Sequence, residues 1–326
     1  MHYFIDTLGS QGLKLFEMPY KVKKLYSYPE EIMLEICDFL SHKAKDKGIK
    51  TDFIHNFLNN GIKGIAFPEL NKCIVNTLAY EENGVPFALE SGYIDCLKEL
   101  DKAKAHFKNA LSVHDKWEKY YIDNFDFSIL DGECVRLTYE IFNGKTGNEK
   151  GYIFDRFLGA ATAFGAVDYV ENLTVDINKR YFIKGRPGTG KSTFMKKIIN
   201  TAKEKNFDVE VYHCAFDPKS IDMLIIRDLS VAVFDSTAPH EHFPSRESDE
   251  IIDFYKLAAK RNVDREYREE LSSVALRYKE NIGLATECIK RCNDIFKENE
   301  KIHLERIDKK NVICLSEVLA AGVFGC

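Results

Sequence analysis

No part of this sequence is both long and apolar. The longest such run, Phe157 to Val167, falls far short of the ~20 residues that a membrane-spanning helix needs. Neither sign of charge prevails. Against 46 basic residues stand 51 acidic ones, a net charge of -5, so composition gives no electrostatic case for a nucleic-acid partner. Residues 1–20 lack the basic start and apolar stretch of a signal peptide. The nine cysteines are odd in number and scattered, which fits a reducing compartment better than a disulfide framework. With 45% apolar and 30% charged residues, the chain is neither disordered nor collagen-like. At 326 residues it has length for about two domains. The expectation is a soluble cytoplasmic protein with no membrane partner.

What is present is concentrated in the second half. The apolar segment Tyr181-Phe182-Ile183-Lys184 runs into Gly185-Arg186-Pro187-Gly188-Thr189-Gly190-Lys191-Ser192, and Thr193 to Ile199 continues at helical spacing. Strand, glycine loop and helix form the context that a G-x-x-x-x-G-K-[ST] match requires. Glycines let the backbone curl until successive N–H groups face a phosphate, and the helix N-terminus adds positive potential. Gly185 to Thr193 would then cradle a nucleotide, with Lys191 reaching the terminal phosphates and the Ser192 hydroxyl holding Mg²⁺. Arg186 reads as a solvated side chain, and Thr193 as a backbone contributor. The pattern does not distinguish ATP from GTP.

Two further strands follow. Val209 to Cys214 precedes Asp217-Pro218-Lys219-Ser220, where the acid reads as a helix N-cap and the proline as the first helical residue. Leu229 to Asp235 is apolar and ends in a carboxylate, which places Asp235 as a second Mg²⁺ ligand. No Glu follows Asp235; Ser236, Thr237 and Ala238 do, which points to slow turnover, a remote base or an acceptor other than water. Beyond them, Pro239-His240-Glu241-His242-Phe243-Pro244-Ser245-Arg246 reads as a polar loop held by two prolines. Within it Glu241 is a candidate general base and Arg246 a candidate phosphate contact. Cys288 and Cys292, one turn apart, read as buried helical thiols, and Trp117, Tyr120 and Tyr121 as core or interface packing. Alternating charges from Asp249 to Lys310 read as solvated faces of a helical hairpin, open to a protein partner.

The chain also resembles itself. Sliding it by 158 positions sets Leu25–Pro68 against Ile183–Ile226 without a gap, and Pro29, Ala44, Lys45, Lys47 and His55 meet identical residues. One residue of slip then sets Leu70, Ala79 and Glu82 against Leu229, Ala238 and Glu241. Upstream, Phe4–Phe16 is similar to Phe157–Tyr169. In this alignment the first-half loop reads Ser27-Tyr28-Pro29-Glu30-Glu31-Ile32-Met33-Leu34. Glu30 and Glu31 stand opposite Gly188 and Thr189, Met33 opposite Lys191, Leu34 opposite Ser192 and Asn76 opposite Asp235. The first half keeps the pattern without the chemistry.

These features resemble the P-loop NTPase superfamily and, more narrowly, a bacterial family of tandem-repeat P-loop proteins catalogued as ATPases. The residues carrying the closer likeness are Ile183–Met195, Tyr212-His213-Cys214 with Asp217-Pro218, and Phe234 to His240. The likeness is strong over 151–255 and weak before residue 90. It implies nucleotide binding, Mg²⁺ and hydrolysis. Members often carry a loop in both halves, and this chain departs from that in the first.

The fold expected is α/β. It comprises two P-loop-type repeats, 1–150 and 151–326, with mainly parallel sheets flanked by helices and a helical hairpin inserted in each. An ATPase whose hydrolysis drives a motion ranks first. A phosphotransferase acting on a nucleotide or small metabolite ranks second, and a non-catalytic nucleotide sensor third.

Overall fold

The computed structural model describes residues 1–26, 28–77, 93–147, 150–238 and 241–325. Ser27, Ala79, Glu82, Pro239 and His240 lie outside the described residues. The first half runs β1 (His2–Phe4), β2 (Asp6–Gly9), β3 (Gly12–Leu15), β4 (Lys21–Tyr26), α1 (Glu30–Asp46), β5 (Asp52–His55), β6 (Ile62–Phe67) and β7 (Lys72–Thr77). Two helices, α2 (Tyr93–Ile122) and α3 (Phe127–Phe142), follow. The second half runs β8 (Ile153–Phe157), β9 (Gly159–Thr162), β10 (Gly165–Asp168), α4 (Val170–Leu173), β11 (Lys179–Lys184), α5 (Lys191–Glu204), β12 (Val209–His213), β13 (Ile221–Ile226) and β14 (Val231–Asp235). It ends with β15 (Glu250–Asp253), α6 (Phe254–Ala258), α7 (Val263–Glu266), α8 (Arg268–Leu304) and α9 (Lys309–Phe324).

Local chemistry explains the central elements. Every residue of β13 is buried, and so are the four middle residues of β11, because both faces of these strands are covered. In α5 the buried positions Phe194, Met195, Ile198, Ile199 and Ala202 form one stripe. Asp217 to Ser220 is a turn, not the start of a helix. The Asp217 carboxylate accepts the Lys219 N–H and the Ser220 hydroxyl, and the chain then enters β13. The apolar run at 221–226 outweighs the capping pattern because it completes an antiparallel pair with β12.

Among the described residues, eleven strands form one mixed sheet in the order β15-β11-β14-β13-β12-β8-β1-β5-β6-β7-β4. The pairing sequence from β8 outward to β11 repeats from β1 outward to β4: parallel, antiparallel, antiparallel, parallel. Each series carries a register irregularity at the same point, Ile54/His55 and Tyr212/His213. The two series meet at one antiparallel junction, Phe4 opposite Phe157.

The helices differ from a hairpin inserted in each half. Instead, α2 packs along α8, through Ala103 and Phe107 against Ala285 and Ile289. Cys96 and Cys292 are joined by a disulfide with Cα atoms 4.4 Å apart, so Cys292 is not the free thiol its spacing suggested. Then α3 lies on α5 of the second half, and α9 lies on α1 of the first. Each covering helix belongs to the opposite half of the chain. No described helix is long and apolar enough to cross a membrane.

The neighbouring strands β1 and β5, next to the junction, carry a histidine pair. His2 Nδ1 and His55 Nε2 lie 2.8 Å apart, so one ring must donate and the other accept. Burial, the His55 ring and the Met1 amino group pull His2 down to about 4, and burial also lowers His55. At the matching positions of the second half, Asp155 meets His213 at 2.7 Å. Both imidazoles of the pair take up protons more readily in the unfolded chain, so stability falls as pH drops below the unfolded value of 6.5 towards about 4. The denaturation midpoint should therefore decline between about pH 7 and pH 5. His2→Asp, which copies Asp155, should reduce the decline; parallel curves for variant and parent would show that the pair is not its source.

Candidate functional site

β11 lies between β14 and β15 and runs parallel to both, so three strands end at one edge of the sheet. From that edge the chain turns through Gly185–Gly190 into α5. Gly188 (φ +74°) and Gly190 (φ +85°) are left-handed, and the alternation of hand turns backbone N–H groups inward. Thr189 is buried and locks the turn, its hydroxyl donating to the Arg186 carbonyl (2.8 Å) and accepting the Arg186 N–H (3.2 Å). Pro187 is half-buried beside it, and Thr193 is exposed.

The charged groups converge on this turn. Lys191 Nζ donates to the Arg186 carbonyl (3.0 Å) and lies 3.5 Å from Asp235. Asp235 ends β14 opposite Ile183 of β11 and also accepts the Thr237 N–H. The Ser192 hydroxyl accepts the Ile221 N–H at 2.9 Å, which leaves it a second lone pair. Arg186 is partly solvated, as its loop position suggests, and its guanidinium also pairs with Asp264 (2.9 Å) and lies over the Tyr255 ring. Ser192 and Asp235 offer oxygen donors of the kind Mg²⁺ prefers.

Other expected residues are placed elsewhere. Glu241 is exposed and pairs with Lys184 at 3.4 Å, beside the start of the loop. His242 pairs with Asp168 at 3.0 Å. Arg246 donates to the Ile177 carbonyl, at the opposite end of β11 from the loop, so it makes no phosphate contact there. The reason is topological. β15 runs parallel to β11, so the chain leaving β14 must travel back before β15 begins. Arg180 anchors the return with two bonds to Asp249; these, with the Ser245 and Arg246 N–H groups, hold the Asp249 carboxyl at about 2. His213 is structural, bonded to Asp155 and to the Pro218 carbonyl.

One group at the site went unread in the sequence. His114, Asp115 and Glu118 of α2 offer ligand atoms within 4.8 Å of one another, against the loop. Glu118 lies against Gly188, where an added Cβ would come within 2.8 Å of both the Cβ and the carbonyl oxygen of Glu118. Burial and Asp115 push the Glu118 carboxyl up; burial and Lys191 lower His114. Trp117, Tyr120 and Tyr121 pack this end of α2 onto Tyr278, Tyr267 and Asp264. The signal was available in the spacing of α3 and α9, both 16 residues long and 182 positions apart. The same interval sets Glu118 against Glu300.

In the first half Glu300 accepts the Glu30 N–H at 2.7 Å. Lys297 bonds both Glu300 and Glu30, and Gly61 leaves room for the Glu30 carboxylate. Asn76, opposite Asp235 in the alignment, bridges the Tyr28 N–H and carbonyl. Met33 is buried and Leu34 exposed. No protein-family model, curated protein or solved structure matches the chain.

Gly188 should be intolerant of substitution. Gly188→Ala meets a left-handed penalty of ~1–2 kcal/mol and the close backbone of α2 as well. Gly283→Ala, in the interior of α8 with open space around it, should instead stabilise by about 0.5–1 kcal/mol. Urea titrations of the two variants check this, and a neutral Gly188→Ala would mean that α2 does not bear on the loop.

Proposed function

We propose that the chain binds one nucleoside triphosphate with Mg²⁺ at Gly185–Thr193 and hydrolyses it slowly. The reading rests above all on Lys191, which lies over a loop with two left-handed glycines and 3.5 Å from the carboxylate that ends the parallel neighbouring strand. The loop N–H groups and the head of α5 would take the phosphate oxygens, and Lys191 their charge. Ser192 and Asp235 would hold Mg²⁺, which neutralises charge on the transferring phosphoryl group. Phosphoryl transfer depends chiefly on such positioning, so these groups supply much of what it needs.

We further read the chain as two P-loop-type repeats, the first without a nucleotide site. The pairing sequence that occurs twice across the sheet supports this. Charge supports the silent first site: a phosphate there would meet Glu30 and Glu300, which share the single positive charge of Lys297, and no lysine at Met33. A phosphotransferase is the second reading. It is favoured by Ser236 directly after Asp235, whose hydroxyl donates to the His242 carbonyl and supplies no base.

Lys191→Ala should weaken binding of a slowly hydrolysed Mg-ATP analogue by about tenfold or more. Asp235→Asn should keep affinity within about threefold yet lose Mg²⁺-dependent phosphate release, because it removes a charge from the metal while keeping shape. Calorimetry should give one site per chain. Unaltered binding in Lys191→Ala would refute the nucleotide reading; a stoichiometry of two would refute the silent first half. Phosphate release only with an added metabolite acceptor would favour the second reading.

A further inference from the structure

The group facing the cradle is a carboxylate of the protein itself. Glu118 approaches the loop at Gly188, one of the two left-handed glycines that turn backbone donors inward. The helix carrying it is so close that a Cβ on Gly188 would lie 3.0 Å from the Glu118 Cα. We propose that Glu118 is an internal occupant of the phosphate cradle, and that nucleotide enters by displacing it and the end of α2 that carries it.

This rests on the nucleotide reading of the loop and adds what the loop must release. A carboxylate and a phosphate oxygen compete for the same N–H groups, and both carry negative charge, so the two cannot share the cradle without mutual repulsion. The first half shows the same joint in a permanent form. There Glu300 of α8 accepts the Glu30 N–H, and Lys297, one turn earlier, ties the two carboxylates together. The interval of 182 positions puts Asp115 where that lysine stands. A like charge replaces a bridging cation, so the joint at Gly188 is held less firmly than the joint at Glu30. His114, 3.7 Å from Glu118, is kept towards its neutral form by burial and by Lys191, and so gives little in place of the lysine. The charges thus leave one joint fixed and the other open to exchange for an anion.

The end of α2 that moves carries the single tryptophan, Trp117, packed edge-on against Tyr278 of α8 with ring centroids 6.0 Å apart. Displacing Glu118 must disturb that contact, so occupancy of the loop is passed to the α2–α8 pair.

The test uses the full chain and a slowly hydrolysed Mg-ATP analogue, with affinity from calorimetry and Trp117 emission as a second readout. A latch closed in about nine molecules of ten lowers apparent affinity about tenfold, so Glu118→Gln should bind up to about tenfold tighter than the parent. Glu118→Asp keeps the charge but shortens the reach, and it too should bind tighter. Loss of binding in Lys191→Ala, with Glu118→Gln and Glu118→Asp no tighter than the parent, would sink the latch and leave the nucleotide site standing. A gain in Glu118→Gln alone would reduce Glu118 to a simple repulsive charge. Unchanged Trp117 emission on saturating the parent overturns the displacement without any variant. Binding indifferent to Lys191→Ala overturns the loop reading itself.

Discussion

The antiparallel packing of α2 against α8 determines where nearly everything else in the molecule sits. Small residues on the facing stripes, Ala103 and Ala110 on one helix and Ala285, Cys288 and Cys292 on the other, allow close approach, and Phe107 and Ile289 fill the seam. Glu99 and Arg291 close one end at 2.7 Å, and Trp117 and Tyr278 pack near the other. Because the helices are long, each reaches the loop of the opposite half and delivers a glutamate to it. The shorter helices that follow are then placed across the molecule. Leu130, Leu137 and Ile141 of α3 share a core with Met195 and Ile198, while Val312, Leu319 and Val323 of α9 share one with Ile36 and Leu40. Each half of the sheet carries its own inner helix, α1 or α5, and takes the helix outside that one from the other half.

The two loops illustrate how charge can separate the fates of similar backbones. At Glu30 the chain places a carboxylate where an anion would approach, then binds it to Lys297 and Asn59. The result is a half-buried joint in which two carboxylates share one lysine and tie α1 to α8. At Gly188 the position has no side chain, the turn is left-handed, and Lys191 with Asp235 occupies the adjoining edge. Backbone donors and a cation face a carboxylate that has a like charge for its neighbour. On the proposed reading, the first arrangement gives up an anion site and the second a firm helix contact.

A second pair of matched positions lies where the two strand series meet. Tyr3 and Arg156 stack there, the guanidinium 4.2 Å from the ring, with Asp52 and Glu210 on either side. Arg156 and Glu210 are buried and 3.4 Å apart, so the charge of each is offset by the other rather than by water. The junction between the halves is therefore closed to water and fixed by its own charges. It leaves the loops at the sheet edges as the places where charge can change without disturbing the sheet.

Local features carried the strand, glycine loop and helix at 181–199, because hydrophobic period, left-handed glycines and a lysine at fixed spacing act within one stretch of chain. Asp235 was legible for the same reason, since a run of apolar residues ending in an acid marks the end of a buried strand. Self-comparison exposed the altered charges at Glu30, Glu31, Met33 and Leu34. What stayed hidden depended on partners far apart in the chain. The turn at Asp217 followed from the pairing of β13 with β12, which overrode a capping pattern. The position of Arg246 followed from the direction of β15. Cys292 found Cys96 across 196 residues, and Glu118 found Gly188 only because α2 crosses to the other half. Spacing within a segment reports on groups that its own backbone holds together, whereas a contact between helices is set by which faces can be buried at once, and that is decided by the whole packed molecule.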